Sequence, residues 1–165
     1  GNYILKDKFE STHKKALNIV ENNTKVLDIG CNTGELGSLL IEKKCEVTGI
    51  DIDDSVAPYL SLQAQLNECN VDFQQRDFES LNESELNAFN YLIGADICFW
   101  DEMTQPLLKL ITKARKAGVD NILIADPGRP PFWALVDLCA NQFGSEVITR
   151  RLEEPWRTEK YILVI

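Results

Sequence analysis

The chain has 165 residues, 44% of them hydrophobic and 26% charged, with a formal net charge of −9. That length can bury a core as one domain without disulfide staples, and the composition is globular rather than disordered. The acidic balance weighs against a nucleic-acid partner, because neutralising phosphates takes a basic surface; Lys113, Arg115 and Lys116 come nearest to one and read as the solvated face of a helix.

Strand-like and helix-like segments alternate along the chain, with no repeat or Pro/Gly-rich linker, so residues 1–165 read as one domain. Residues 1–24 form a lead-in, helical over 4–21, where Phe9, Ala16, Leu17, Ile19 and Val20 punctuate a polar stretch. Lys25–Ile29 is a first strand, Glu35–Lys43 a helix, and Glu46–Ile50 a second strand. Asp54 or Ser55 caps the next helix, which runs to about Asn67, with Pro58 in its first turn. Val71–Gln75 is a third strand, Glu83–Phe89 a short helix, and Tyr91–Cys98 a fourth strand. A helix from Thr104 to Ala117 stops at Gly118, and the nearly all-apolar Asn121–Ala125 suits a central strand buried on both faces. Pro130 and Pro131 open a helix reaching Phe143, and Glu146–Arg150 and Lys160–Val164 are strand-like. The order predicts an α/β fold: a doubly wound, mainly parallel seven-stranded sheet with helices on both faces and an antiparallel C-terminal strand pair. Ligands of such sheets bind beyond the carboxyl ends of the strands, at the switch point.

The residues at those strand ends carry the functional signal. Asp28-Ile29-Gly30-Cys31-Asn32-Thr33-Gly34 joins the first strand to the first helix. Gly30 and Gly34 let a ligand lie against the turn, and Asn32, where a third glycine is common, still enters the left-handed region cheaply. Alone, this is a tight turn that needs no ligand. Asp51, 23 residues after Asp28, follows the second strand and can accept hydrogen bonds from both hydroxyls of a ribose. Asp77 follows the third and can accept from the exocyclic amine of adenine, with Ile52 or Phe78 against the ring.

With these residues in view, Asp28–Gly34, Asp51 and Asp77 resemble the cofactor signature of the class I, seven-strand methyltransferases, over residues 25 to 165. The resemblance implies S-adenosylmethionine as cofactor and S-adenosylhomocysteine as product, held by Asp28, Gly30, Cys31, Asn32, Gly34, Asp51, Ile52, Asp77, Phe78 and Ala95. Asp96-Ile97-Cys98-Phe99 resembles the D-x-x-[YF] motif of family-16-type methyltransferases. Asp126-Pro127-Gly128-Arg129-Pro130 resembles a segment of the electron-transfer-flavoprotein lysine methyltransferase and of predicted nicotinamide methylases. The expectation is transfer to an amine, of a small molecule or a protein lysine, with Asp96 and Phe99 at the catalytic position. Asp96 can hold the amine and favour the developing cation, and Phe99 and Trp100 can wall the site. Asp126, Arg129 and Trp133 are candidates for the substrate pocket.

Each has a plainer reading. Phe99 and Trp100 can pack under the following helix, Asp101 and Glu102 can serve its N-terminus, and Arg129 can simply pair with Asp126 or Asp96. Trp156 and Arg157 read as hairpin packing and surface. An NAD-type dehydrogenase is weakened by the glycine spacing, since Gly34 is the next glycine after Gly30. A non-catalytic cofactor-binding module of the same fold is the other alternative. Five separated cysteines and one histidine, His13, on a surface stretch offer no metal site and read as reduced thiols of a cytoplasmic protein. No apolar run approaches a membrane span, no signal peptide is visible, and Gly1 reads either as a residue left by cloning or as an internal start, which would leave upstream sequence missing.

Overall fold

A computed structural model describes residues 17–165, except 33, 67, 69, 71 and 153–157. Most of the expected lead-in helix, with His13, lies outside the described residues, as do Thr33, Cys69, Trp156 and Arg157; residues 17–19 are helical. The strands are β1 (Lys25–Ile29), β2 (Glu46–Asp51), β3 (Asp72–Gln75), β4 (Tyr91–Ala95), β5 (Asn121–Asp126), β6 (Glu146–Leu152) and β7 (Thr158–Val164). The helices are α1 (Glu35–Glu42), α2 (Ala57–Leu66), α3 (Glu83–Leu86), α4 (Thr104–Ala117) and α5 (Pro130–Phe143).

The strands form one seven-stranded sheet in the order β3-β2-β1-β4-β5-β7-β6. β1 through β5 run parallel to one another, while β7 runs antiparallel to both β5 and β6. Alternate residues of a strand feed opposite cores, as the two-residue period of a strand requires. Ile122 and Ile124 join Leu92, Leu107, Ile111, Phe132 and Leu135 on one face. Leu123 and Ala125 join Val26, Leu36, Leu40 and Ile93 on the other. Burial on both faces is why β5 reads as an uninterrupted apolar run.

Helix α4 buries Leu107, Leu110, Ile111, Ala114 and Ala117, a stripe at helical spacing. It ends at Gly118, whose φ of 90° lets that residue's N–H reach back to the last-turn carbonyls. Two basic residues of this helix are put to local use. Lys113 donates to the Leu81 carbonyl at 2.5 Å, and Arg115 to those of Val119 and Asp120 at 3.0 and 2.8 Å.

Several boundaries shift by a residue or two, among them β6, which runs to Leu152, and β7, which begins at Thr158, and three differences have a visible local cause. β4 stops at Ala95 instead of Cys98, because Asp96 turns the chain with φ 56° and its N–H goes to the Ala125 carbonyl. The helix after β2 is preceded by a 3₁₀ turn, Asp54–Val56, whose cap is Asp53 rather than Asp54 or Ser55. The helix expected over 83–89 is only Glu83–Leu86, held at its start by a capping box between Asn82 and Glu85. The strand order reverses between β1 and β4, which puts the switch point, and the cleft, at their carboxyl ends.

Candidate active site

The turn after β1 is built for close approach. Gly30 adopts φ +64°, and the N–H groups of Gly30 and Cys31 both donate to the Ile50 carbonyl, at 2.8 and 3.1 Å. This pins the loop to the end of β2. Asn32 sits at φ 45°, the left-handed position a glycine would take, and its N–H donates to Asp51 Oδ2 at 3.1 Å. Asp51 Oδ1 accepts from the Asp53 N–H at 3.0 Å. One carboxylate therefore joins the glycine turn to the β2 end, and each of its oxygens keeps acceptor capacity for a ligand.

A cleft of about 640 Å³ opens beyond these strand ends. Asp28, Gly30, Cys31, Asn32, Asp51, Ile52, Asp77, Phe78 and Ala95 line it, and so do Asp96, Phe99 and Trp100. Gly34 is not among the lining residues. It stands at the start of α1 with φ +75°, where a Cβ would lie 2.2 Å from Leu60 Cδ2, so its place in the fold is to let α2 approach. Asp77 Oδ1 accepts from the Glu79 N–H at 2.9 Å and so caps a short 3₁₀ turn at the cleft edge.

Several lining residues carried no visible sequence signal, among them Leu36, Val56, Arg76, Ile97 and Met103. Ile97 fits over two glycines: a Cβ at Gly30 would meet its Cγ2 at 2.8 Å, and one at Gly94 its Cδ1 at 2.6 Å. The facing glycines were the available clue. Arg76 is tied to Glu85 at 2.7 Å, a pairing between separate elements that spacing does not reveal.

Among the described residues, six carboxylates line the cleft, those of Asp28, Asp51, Asp53, Asp77, Glu79 and Asp96, against one guanidinium, that of Arg76. Asp28 is 4% exposed. Burial, and then the charge of Asp51, pushes its carboxyl up to about 7. The Cys31 thiol is pushed up to about 12, first by burial and then by Asp28 and Asp51, so it is a neutral wall of the cleft.

A second cluster flanks Asp96. The Asp126 side chain is wholly buried, and its Oδ1 accepts from the N–H groups of Gly128 and Arg129, both at 2.8 Å. Arg129 Nη1 donates to Asp126 Oδ2 at 2.7 Å and to Asp96 Oδ1 at 3.1 Å. Its guanidinium carbon lies 4.4 Å from the centre of the Phe99 ring. Phe99 and Trp100 are 54% and 70% exposed, so neither is packed away under α4. Asp126, Arg129 and Trp133 are not among the residues lining the cleft. Arg129 stands just behind Asp96 and Phe99. Trp133, expected at the pocket mouth, packs edge-on against Phe132 and Tyr161, with ring centres 5.3 and 4.8 Å away. Among the described residues, no cluster of His, Cys, Asp or Glu is arranged to hold a metal ion, and no helix is long and apolar enough to cross a membrane.

The sequence and fold have recognisable counterparts. A family model for a methyltransferase domain matches residues 20–140. A ubiquinone biosynthesis O-methyltransferase of Idiomarina loihiensis is 27% identical over 119 residues, covering 67% of this chain and 49% of that protein. A ribosomal RNA small subunit methyltransferase A of Mesomycoplasma hyopneumoniae is 36% identical over 107 residues, covering 60% and 39%. The chain thus spans half or less of the length of these curated relatives. In fold it is similar to the solved structure of a SAM-dependent methyltransferase from Methanosarcina mazei, at a TM-score of 0.70 and 16% identity, over 91% of this chain and 95% of that one. With residues 20–140 matched by that model, the chain belongs to the methyltransferase-domain family.

Proposed function

We propose that this chain is an S-adenosylmethionine-dependent methyltransferase that transfers a methyl group to an amine, of a small molecule or a protein lysine, presented beside Asp96. The observation that carries the reading is the charge of the cleft, where the described residues supply six carboxylates against one guanidinium that is already engaged by Glu85. Such a site favours a cationic ligand. The raised Asp28 carboxyl makes the point locally, because a buried acid beside a second acid is short of a positive partner. S-adenosylmethionine carries a sulfonium and an ammonium and fits that demand. A dinucleotide would bring a pyrophosphate to the same carboxylates, which weighs against an NAD-type dehydrogenase.

The methyl donor is S-adenosylmethionine; when bound, it supplies a methyl carbon that an acceptor lone pair captures as the carbon–sulfur electron pair returns to sulfur, leaving S-adenosylhomocysteine. The residues of the chain do the holding. Asp51 accepts from the ribose hydroxyls with the lone pairs that Asn32 and Asp53 leave open. Asp77 accepts from the adenine amine, with Ile52 and Phe78 against the ring, and Asp28 faces the cationic amino-acid end. Gly30, Cys31, Asn32 and Ala95 shape the wall between them. Asp96, exposed at the β4 end, holds the acceptor nitrogen and favours the charge that grows on it.

The test is transfer of label from methyl-tritiated S-adenosylmethionine to Nα-acetyl-lysine, n-butylamine, catechol and a ribosomal RNA fragment, each offered separately. Label enters the amines, and Asp96→Ala abolishes this while S-adenosylhomocysteine still binds. Label confined to catechol or RNA would overturn the amine acceptor, and full transfer by Asp96→Ala would overturn the role of Asp96. Tight donor binding with no transfer to any acceptor would favour the non-catalytic module.

A further inference from the structure

An acidic cleft poses a chemical problem for amine methylation. The nucleophile is the neutral amine, yet a lone carboxylate stabilises the protonated form, which has no lone pair to give. The two groups best suited to capture a protonated amine at the acceptor position are the Asp96 carboxylate and the face of Phe99. Both already have a cation on them. Arg129 Nη1 is 3.1 Å from Asp96 Oδ1, and its guanidinium carbon is 4.4 Å from the centre of the Phe99 ring.

That cation is held from behind. The same Nη1 donates at 2.7 Å to Asp126, whose side chain is wholly buried at the end of β5 and which also accepts two backbone N–H groups from the Gly128–Arg129 turn. Swinging Arg129 away would leave a buried carboxylate without its counter-charge, which is strongly unfavourable. The guanidinium is therefore a fixture of the acceptor site and does not act as a gate.

We propose that Arg129 is a specificity-determining residue of the acceptor site: its guanidinium fills the cation position between Asp96 and Phe99, so the site rejects protonated amines and admits the neutral, nucleophilic form. This rests on the amine reading given above. The Asp96 oxygen not used by Arg129 still accepts a hydrogen bond from a neutral N–H, while its pull on a full positive charge is weakened by the guanidinium it already holds.

The test uses a permanent cation that needs no transfer, tetramethylammonium, titrated by calorimetry into the chain with and without S-adenosylhomocysteine. The wild type binds it weakly. Arg129→Gln vacates the position and binds it about tenfold more tightly, the combined worth of a partly exposed cation–π contact and ion pair. Arg129→Lys, which keeps the charge, restores weak binding. A gain of affinity cannot come from a damaged fold, so unchanged or weaker binding by folded Arg129→Gln would overturn the proposal. Should that variant not fold, Phe99→Leu decides. With the ring face toward Arg129 already taken, loss of the ring changes tetramethylammonium affinity less than twofold, and a several-fold loss would show that the ring is the cation's platform and refute the idea. These outcomes are independent of the labelled-transfer experiment, so failure of the amine reading and failure of this inference are told apart.

Discussion

Replacing Asp28 by Asn should stabilise the ligand-free protein at alkaline pH and weaken its hold on the donor. The carboxyl ionises near 3.8 in the unfolded chain and at about 7 in the folded one, because burial and then Asp51 disfavour its charge. The folded state thus keeps a proton that the unfolded state releases. Stability from this group is complete below the unfolded value, falls as pH climbs toward 7, and stays low above it. The full loss is about 4 kcal/mol. Asn has the shape of the protonated acid and never charges, so Asp28→Asn escapes that loss. For a chain of this size the gain is on the order of 10 °C in Tm at pH 8. At pH 4.5 to 5, where Asp28 is still protonated in the folded state but already ionised in the unfolded chain, the gain should shrink to about 1–2 kcal/mol, or roughly 3–4 °C. The assay is thermal unfolding by circular dichroism at both pH values, without ligand. A variant that melts lower than wild type at pH 8, or that shows the same difference at both pH values, would refute the reasoning. Calorimetry supplies the counterpart: at pH 7, S-adenosylmethionine binding to wild type should release up to about half a proton from Asp28, and the variant should release none from this position.

Three further outcomes follow from the same geometry. Gly30→Ala should cost about 1–3 kcal/mol, since it adds a Cβ at φ +64° that meets Ile97 Cγ2 at 2.8 Å, whereas Gly144→Ala, at φ +71° with nothing within 4 Å, should cost only the backbone share of about 1 kcal/mol; urea titration of both variants separates the contributions, and equal costs would contradict the close packing at Gly30. Asp51→Ala should weaken S-adenosylhomocysteine binding at least about tenfold, because it removes the acceptor for the Asn32 and Asp53 N–H groups as well as for the ribose; affinity within twofold of wild type would remove Asp51 from the site. In the native protein at pH 8, iodoacetamide should leave Cys31, Cys98 and Cys139 unmodified, because burial pushes their thiols up to about 12, 12 and 11, and mass spectrometry should find them alkylated only after unfolding.

Much of the fold was legible because its signals are local. The apolar run of β5, the stripe and terminal glycine of α4, and the prolines that open α5 each follow from one short stretch of chain. The end of β4 was misplaced because Tyr91–Cys98 is apolar apart from Asp96, and only pairing with β5 shows that Asp96 leaves the sheet in a left-handed conformation. The three acids at successive strand ends could be placed beside one cleft because a parallel sheet aligns those ends by construction. What the sequence did not supply is contact between distant elements. Ile97 over Gly30 and Gly94, Arg76 on Glu85, and Trp133 turned toward Tyr161 all depend on how elements pack after they form. The bridging position of Arg129 lies between the two classes, since both pairings were foreseeable but the stacking on Phe99 was not.

On this reading the acidic cleft at the switch point takes a cationic methyl donor and not a dinucleotide. Isothermal titration of the chain with S-adenosylmethionine, S-adenosylhomocysteine and NAD at the same pH and salt tests it most directly. The account predicts one-to-one binding of both adenosyl compounds, weakened by Asp51→Ala, with no detectable heat from NAD; saturable binding of NAD, or none of either adenosyl compound, would contradict it.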